Sequence, residues 1–179
     1  EMRNAENKEL FRKLKIMEAG EVYTGQMGKY AVFSLTLKSA KQESYDKAVY
    51  MIRNAVSTEF ERHRAIVEAE KDALSSTEYI QYMEIAEGKA EEVIVRNALR
   101  LFCQCMYKAT GKNTVVLLDE YDVPLENAYF RGFYREMVDF IRSFFEAGLK
   151  TNDYLQFAVI TGCLRVSKES IFTGLNHLN

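Results

Sequence analysis

The most constraining stretch of this chain is Thr114 to Leu118, TVVLL, which is apolar after its leading threonine and stops abruptly in Asp119-Glu120-Tyr121-Asp122. So short a continuous apolar run is the form of a strand buried on both faces, and such strands belong to parallel sheets covered by helices. Two further runs share its character. Tyr30 to Leu37 (YAVFSLTL) is bounded by Gly28 and by Lys38, Ser39 and Lys41, and Leu155 to Ile160 (LQFAVI) follows the turn signal Asn152-Asp153 and leads into Thr161-Gly162.

Between these runs the hydrophobic period lengthens. From Ser44 onward Tyr45, Val49, Ile52, Val56 and Phe60 recur at steps of three and four, one face of an amphipathic helix whose other face carries Lys47, Arg53 and Glu61. Ser75-Ser-Thr-Glu78 has the capping-box form and predicts a second helix, which Gly88 closes. A third helix is expected from Lys89 to about Tyr107, with Val95, Leu99, Phe102 and Met106 inward and Gly111 as its stop. A fourth is expected from Asn127 to Leu149, with Tyr134, Met137, Val138, Ile141, Phe144 and Phe145 as its stripe. Lys8 to Met17 reads as a short helix before the first strand. Pro124, the single proline, disfavours helix at Val123, so the loop leaving the TVVLL strand is expected to stay extended. The alternation of strand, helices, strand, helix, strand is that of an open α/β sheet with right-handed crossovers.

Composition limits the partners. The 179 residues suit one domain, and 24 Lys plus Arg against 26 Asp plus Glu give a net charge of -2, without the basic footprint of a phosphate-backbone binder. Nucleic acid is therefore not indicated. No stretch approaches the roughly 18 apolar residues of a membrane span and the first residues are no signal peptide, so no membrane partner and a cytoplasmic location are expected. Glu1 precedes Met2, which points to an excised domain. Cys103, Cys105 and Cys163 lack the spacing of a zinc site and read as buried thiols. His63 and His177 have no visible catalytic partner.

Chemistry concentrates where the strands end. At the carboxyl end of a parallel strand, side chains face the crevice in which ligands of open α/β sheets bind. In P-loop NTPases an apolar strand ending in Asp-Glu, the Walker B strand, holds Mg²⁺ through the Asp and can polarise the attacking water through the Glu. Asp119 and Glu120 occupy those two positions. Thr161, at the end of the following strand, can approach a terminal phosphate or the attacking water, and Arg165 can approach phosphate charge. The plainer alternatives are a wet strand end, a turn residue before Gly162 and a surface ion pair. A nuclease-like pair of metals on Asp119, Glu120 and Asp122 is disfavoured, because adjacent residues of an extended strand point to opposite faces. A phosphate cradle of the form G-x-x-x-x-G-K-[ST] is absent: Gly28-Lys29, Gly88-Lys89 and Gly111-Lys112 are followed by Tyr30, Ala90 and Asn113. Without those amides and that lysine, this segment by itself is not expected to bind nucleotide tightly.

VVLLDEYDVPLENA, FYREMVDFIRSFF and LQFAVITGCLRVSKESIFTGLNHL together resemble the bacterial AAA-ATPase-like family, whose members often carry a PD-(D/E)XK nuclease-like domain towards the C-terminus. The likeness is specific from Thr114 to Leu178, looser from Leu10 to Leu37, and mostly one of helical pattern from Lys38 to Lys112. It implies an α/β fold, a partial P-loop NTPase-like three-layer arrangement with a short mostly parallel sheet and a large helical insertion. The implied division is an N-terminal helix and strand over 1–37, a helical region over 38–112, and the Walker B strand, helix and sensor-like strand over 113–179. ATP and Mg²⁺ are the implied cofactors of the full-length protein, with the phosphate loop upstream. Asp119 corresponds to the Mg²⁺ residue and Glu120 to the base; Thr161 and Arg165 match the strand-end motif. Asn176 lies in the Gly-Leu-Asn motif, where capping or loop bracing is expected. The implied strand order leaves the outer edge of the Leu155 to Ile160 strand bare, so a second copy of the chain or a rearranged terminus is expected to cover it. A helicase-like translocase, from the D-E-x-D form, and a protein-interaction domain using the helical region are the alternatives.

Overall fold

The computed structural model describes residues 7–163. In chain order the elements are α1 (Asn7–Phe11), α2 (Glu21–Thr24), β1 (Ala31–Thr36), α3 (Tyr45–Ala69), α4 (Ser76–Ala86), α5 (Glu92–Arg96), α6 (Ala98–Thr110), β2 (Thr114–Asp119), α7 (Val123–Arg131), α8 (Tyr134–Leu149) and β3 (Leu155–Ile160). The three strands form one parallel sheet in the order β1-β2-β3. All three expected strands are present to within a residue or two.

The sheet advances in one direction, β1 to β2 to β3, and right-handed crossovers that advance in one direction place their helices on one face. Phe33 and Leu35 of β1, Val116 and Leu118 of β2, and Ala158 and Ile160 of β3 join the core formed with α3, α6 and α8. Phe33, Phe60 and Phe102 meet edge to face within it, the arrangement that ring quadrupoles favour. The opposite face follows the register in rows: Val32, Val115 and Phe157; Ser34, Leu117 and Val159; then Thr36 and Asp119. It is open among the described residues, with Phe157 50% and Val159 45% exposed. On this second face of β2 Val115 is buried and Leu117 is 37% exposed, and the described residues supply the sheet and one of the two helical layers that a three-layer fold implies.

The helices start where the sequence places their caps. Ser44 accepts from the Lys47 amide, and Ser75 and Glu78 complete the capping box at α4. Two expected helices are each divided. The third breaks at Asn97, whose side-chain amide bonds back to the Val93 carbonyl, into α5 and α6. The fourth breaks at Gly132, held at φ 87, the left-handed conformation that a glycine C-cap supplies. The loop after β2 is not extended as expected: α7 begins at Val123 with Pro124 in its first turn, where no intrahelical N–H is required and a proline costs little. Lys8 to Met17 becomes the short α1 and a 3-10 turn over Lys15–Glu18.

Two side-chain devices fix the ends of this layer. On α3, Glu59 accepts the Ser34 amide at 2.9 Å and Arg62 donates to the Val32 carbonyl at 3.0 Å, so a hydrogen-bonded carboxylate and guanidinium close the outer edge of β1. Between α3, α5 and α8, Arg96 reaches Glu92, the Tyr45 hydroxyl and the Asp139 carbonyl, and its guanidinium lies 4.9 Å from the Phe140 ring centroid. α6 and α8 approach closely at Gly148, where a Cβ would stand 2.2 Å from Leu99 Cβ. His63 is buried against the Phe102 ring, with its Nδ1 3.1 Å from the Glu59 carbonyl oxygen. None of the described helices is long and apolar enough to cross a membrane.

Cys103 and Cys105 are buried as expected, whereas Cys163 is exposed and departs from that expectation. Burial pushes the Cys103 thiol up to about 11 and Cys105 up to about 12. Since the thiolate is the nucleophile, both stay unreactive near neutral pH. A maleimide or disulfide reagent is therefore expected to label Cys163 first in the folded chain, and all 3 cysteines after denaturation. Mass mapping checks this, and labelling of Cys103 or Cys105 at the rate of Cys163 would contradict it.

Candidate functional site at the carboxyl ends of the strands

The three strands end side by side because they are parallel and in register, which brings together residues separated by up to 125 positions, from Thr36 to Thr161. The backbone ladder continues past the strands themselves. Leu37 donates to the Asp119 carbonyl at 3.0 Å, Thr161 to the Leu118 carbonyl at 2.8 Å, and Tyr121 to the Thr161 carbonyl at 3.2 Å. These bonds hold the exit of each strand in place.

Asp119 is exposed at the end of β2 and its carboxylate is held on one oxygen. Oδ1 accepts from the Thr161 hydroxyl and from the Glu120 amide at 3.0 Å. Oδ2 has no hydrogen-bond partner among the described residues. Glu120 follows at φ 56, in the left-handed region that costs a non-glycine residue about 1–2 kcal/mol. That conformation turns the chain sharply, and the Glu120 carboxylate comes to rest at Oε2 on the Thr36 hydroxyl, 3.3 Å away. Thr36 in turn accepts the Lys38 amide at 3.4 Å. Strain at a strand end, retained by the surrounding bonds, is characteristic of a functional position.

Asp122 serves differently. It is 2% exposed, and its Oδ2 accepts the Cys163 amide at 2.9 Å. Gly162 packs directly on it: a Cβ there would lie 2.7 Å from Asp122 Oδ1 and 2.7 Å from the Tyr121 ring. The glycine of the Thr161-Gly162 pair is thus required by close approach.

The structure brings Asp119, Glu120 and Thr161 together at the ends of β2 and β3. Arg165, Asn176 and His177 lie outside the described residues. Thr36 was missed, though the polar alternation of Ser34 and Thr36 within YAVFSLTL marks a strand with one open face. Asp122 entered the sequence reading as a metal ligand and as the last acid of the D-E-x-D form, and its tie to Cys163 depends on the conformation of a second loop. No three His, Cys, Asp or Glu side chains among the described residues converge on a metal position. An all-protein cage is therefore not provided by these residues. Mg²⁺ is typically held by one or two carboxylates with waters and phosphates, and a fixed Asp119 with an open oxygen fits that role.

The family model described as Predicted AAA-ATPase, AAA-ATPase_like, matches residues 1–172. The chain belongs to the AAA-ATPase-like family. An uncharacterized protein from the vnfD 5' region of Azotobacter chroococcum mcd 1 is similar to this AAA-ATPase-like chain, with 31% identity over 109 residues, 52% of the chain and 21% of that protein. The AAA-ATPase-like chain thus aligns with only about a fifth of that relative's length. No solved structure matches it.

Proposed function

We propose that this AAA-ATPase-like chain supplies the acidic half of a Mg²⁺-dependent ATP-hydrolysing site. The observation that carries this reading is the Asp119 carboxylate, fixed through Oδ1 by Thr161 at the carboxyl end of a parallel sheet and open at Oδ2. In this role Asp119 would hold Mg²⁺, Glu120 would be the base for the attacking water, and Thr161 and Arg165 would be the residues offered to phosphate charge. Bound Mg²⁺ would neutralise charge developing on the phosphoryl oxygens.

Topology supports where a phosphate-loop strand would enter. A helix on the open sheet face requires a crossover that runs against the β1-to-β3 direction. A strand upstream of β1 whose helix covers that face must therefore lie beyond β3. Strand order would reverse between that strand and β3, and ligands of open α/β sheets bind at such a reversal, here beside Thr161. A second copy of the chain docking on the same edge is the competing occupant, and light scattering of the isolated chain distinguishes them.

Phosphate release measured against Mg²⁺ concentration tests the assignment. The 179-residue chain alone is expected to release phosphate only at background. A full-length protein in which a phosphate loop precedes this chain is expected to hydrolyse ATP without stimulation by nucleic acid. Asp119→Ala should lower that rate by about 10²-fold or more, the scale of one essential electrostatic contact. An Asp119→Ala protein with the wild-type rate and Mg²⁺ dependence would refute the role.

A further inference from the structure

We infer that Asp122 is a positioning residue for this site, its buried carboxylate clamping the Thr161-Gly162-Cys163 turn so that the Thr161 hydroxyl stays on Asp119. The inference rests on the ATP-hydrolysing role proposed for Asp119 and extends it to a residue that touches neither metal nor nucleotide.

The argument begins with burial. A carboxylate at 2% exposure is retained only where hydrogen bonds replace its water, and Asp122 Oδ2 takes the Cys163 amide at 2.9 Å. That bond ties the loop after β2 to the turn after β3, across 41 positions of sequence. The same two loops are joined by the Tyr121 amide on the Thr161 carbonyl at 3.2 Å. Gly162 sits between the two ties, with so little room that a Cβ would collide with both Asp122 and Tyr121. Thr161 is consequently gripped on both sides, by its own carbonyl and through the Cys163 amide.

The consequence reaches the candidate metal ligand through one side-chain bond. The Thr161 hydroxyl donates to Asp119 Oδ1, the oxygen that also takes the Glu120 amide, and this leaves Oδ2 for Mg²⁺. If the turn is released, Thr161 withdraws and the exposed Asp119 side chain regains its rotamers. Groups that orient a metal ligand in this way are commonly worth 10- to 100-fold in metal affinity. Asp122 itself is not a ligand, since its carboxylate is enclosed by the turn it holds.

The test has one arm without nucleotide and one with it. In this chain, amide hydrogen exchange at Cys163 is followed by NMR in Asp122→Ala and Asp122→Asn. Exchange is expected to quicken about 10-fold or more in Asp122→Ala and to stay near wild type in Asp122→Asn, which keeps an acceptor oxygen. In the full-length protein, Asp122→Ala is expected to raise the Mg²⁺ concentration for half-maximal hydrolysis about 10-fold, with a smaller change in turnover at saturating Mg²⁺. Unchanged Cys163 exchange in folded Asp122→Ala overturns the clamp. Faster exchange with an unmoved Mg²⁺ requirement overturns the positioning role. If Asp122→Ala does not fold, Gly162→Ala perturbs the same turn while keeping the carboxylate, and an unmoved Mg²⁺ requirement there is equally fatal. A wild-type protein without Mg²⁺-dependent hydrolysis removes the ATPase role and the positioning role with it, while the exchange arm still reports whether the clamp exists.

Discussion

In the full-length protein, Glu120→Gln is expected to lower ATP turnover by about 10²- to 10⁴-fold, the range associated with loss of a general base, while ATP and Mg²⁺ still bind. Glutamine has nearly the shape of glutamate, and its carbonyl oxygen can accept the Thr36 hydroxyl that rests at 3.3 Å on Glu120 Oε2. The left-handed backbone at residue 120 is no more costly for one than for the other. What glutamine cannot do is take a proton from water. Asp119 keeps both of its Oδ1 bonds, one from the residue 120 amide and one from Thr161. Single-turnover phosphate release beside a nucleotide titration separates the outcomes. A wild-type rate removes Glu120 as base, and loss of binding together with rate shows that the side chain supports the site's structure instead.

The second large effect is on stability. Gly148→Ala places a Cβ 2.2 Å from Leu99 Cβ, 2.9 Å from Cδ1 and 3.1 Å from Cγ, where Leu99 is fully buried. A Cβ-to-Cβ collision cannot be relieved by choosing another rotamer, so α6 and α8 must separate or shift. Overpacking of this kind costs about 1–3 kcal/mol, and this geometry belongs near the upper end. Alanine's better helix propensity returns up to about 1 kcal/mol, leaving a net loss of about 2 kcal/mol and a Tm lower by about 4–8 °C. Gly111→Ala is the control, because its Cβ would meet nothing within 4 Å and the cost comes only from φ 69. That cost is about 1–2 kcal/mol. Thermal and urea unfolding measure both. A Gly148→Ala chain as stable as wild type would mean that the two helices are not packed this closely.

The three strands were legible because each is a short apolar run between polar or turn residues, and the capping box and Ser44 cap were legible because they are local. The division at Asn97 was not, since the apolar step from Val95 to Leu99 passes through it without a phase change, and that at Gly132 was not, since the apolar stripe of the expected helix begins only at Tyr134, beyond the break. Pro124 misled for a related reason: its effect on the preceding residue is a bias, and the first turn of a helix is where a proline is tolerated. At the candidate site, Asp119, Glu120 and Thr161 could be read from strand ends alone. Thr36 and Asp122 could not be assigned contacts that way, because one meets Glu120 across 84 positions and the other meets Cys163 across 41.

Glu59 and Arg62 give the sheet a single direction of growth. With the Ser34 amide and the Val32 carbonyl already taken by α3, a newcomer beside β1 would have to break a charged pair to find its hydrogen bonds. Beyond β3 it meets no such obstacle from the described residues. An incoming parallel strand would end next to Thr161, so the step that extends the sheet is the same step that walls in the crevice above Asp119.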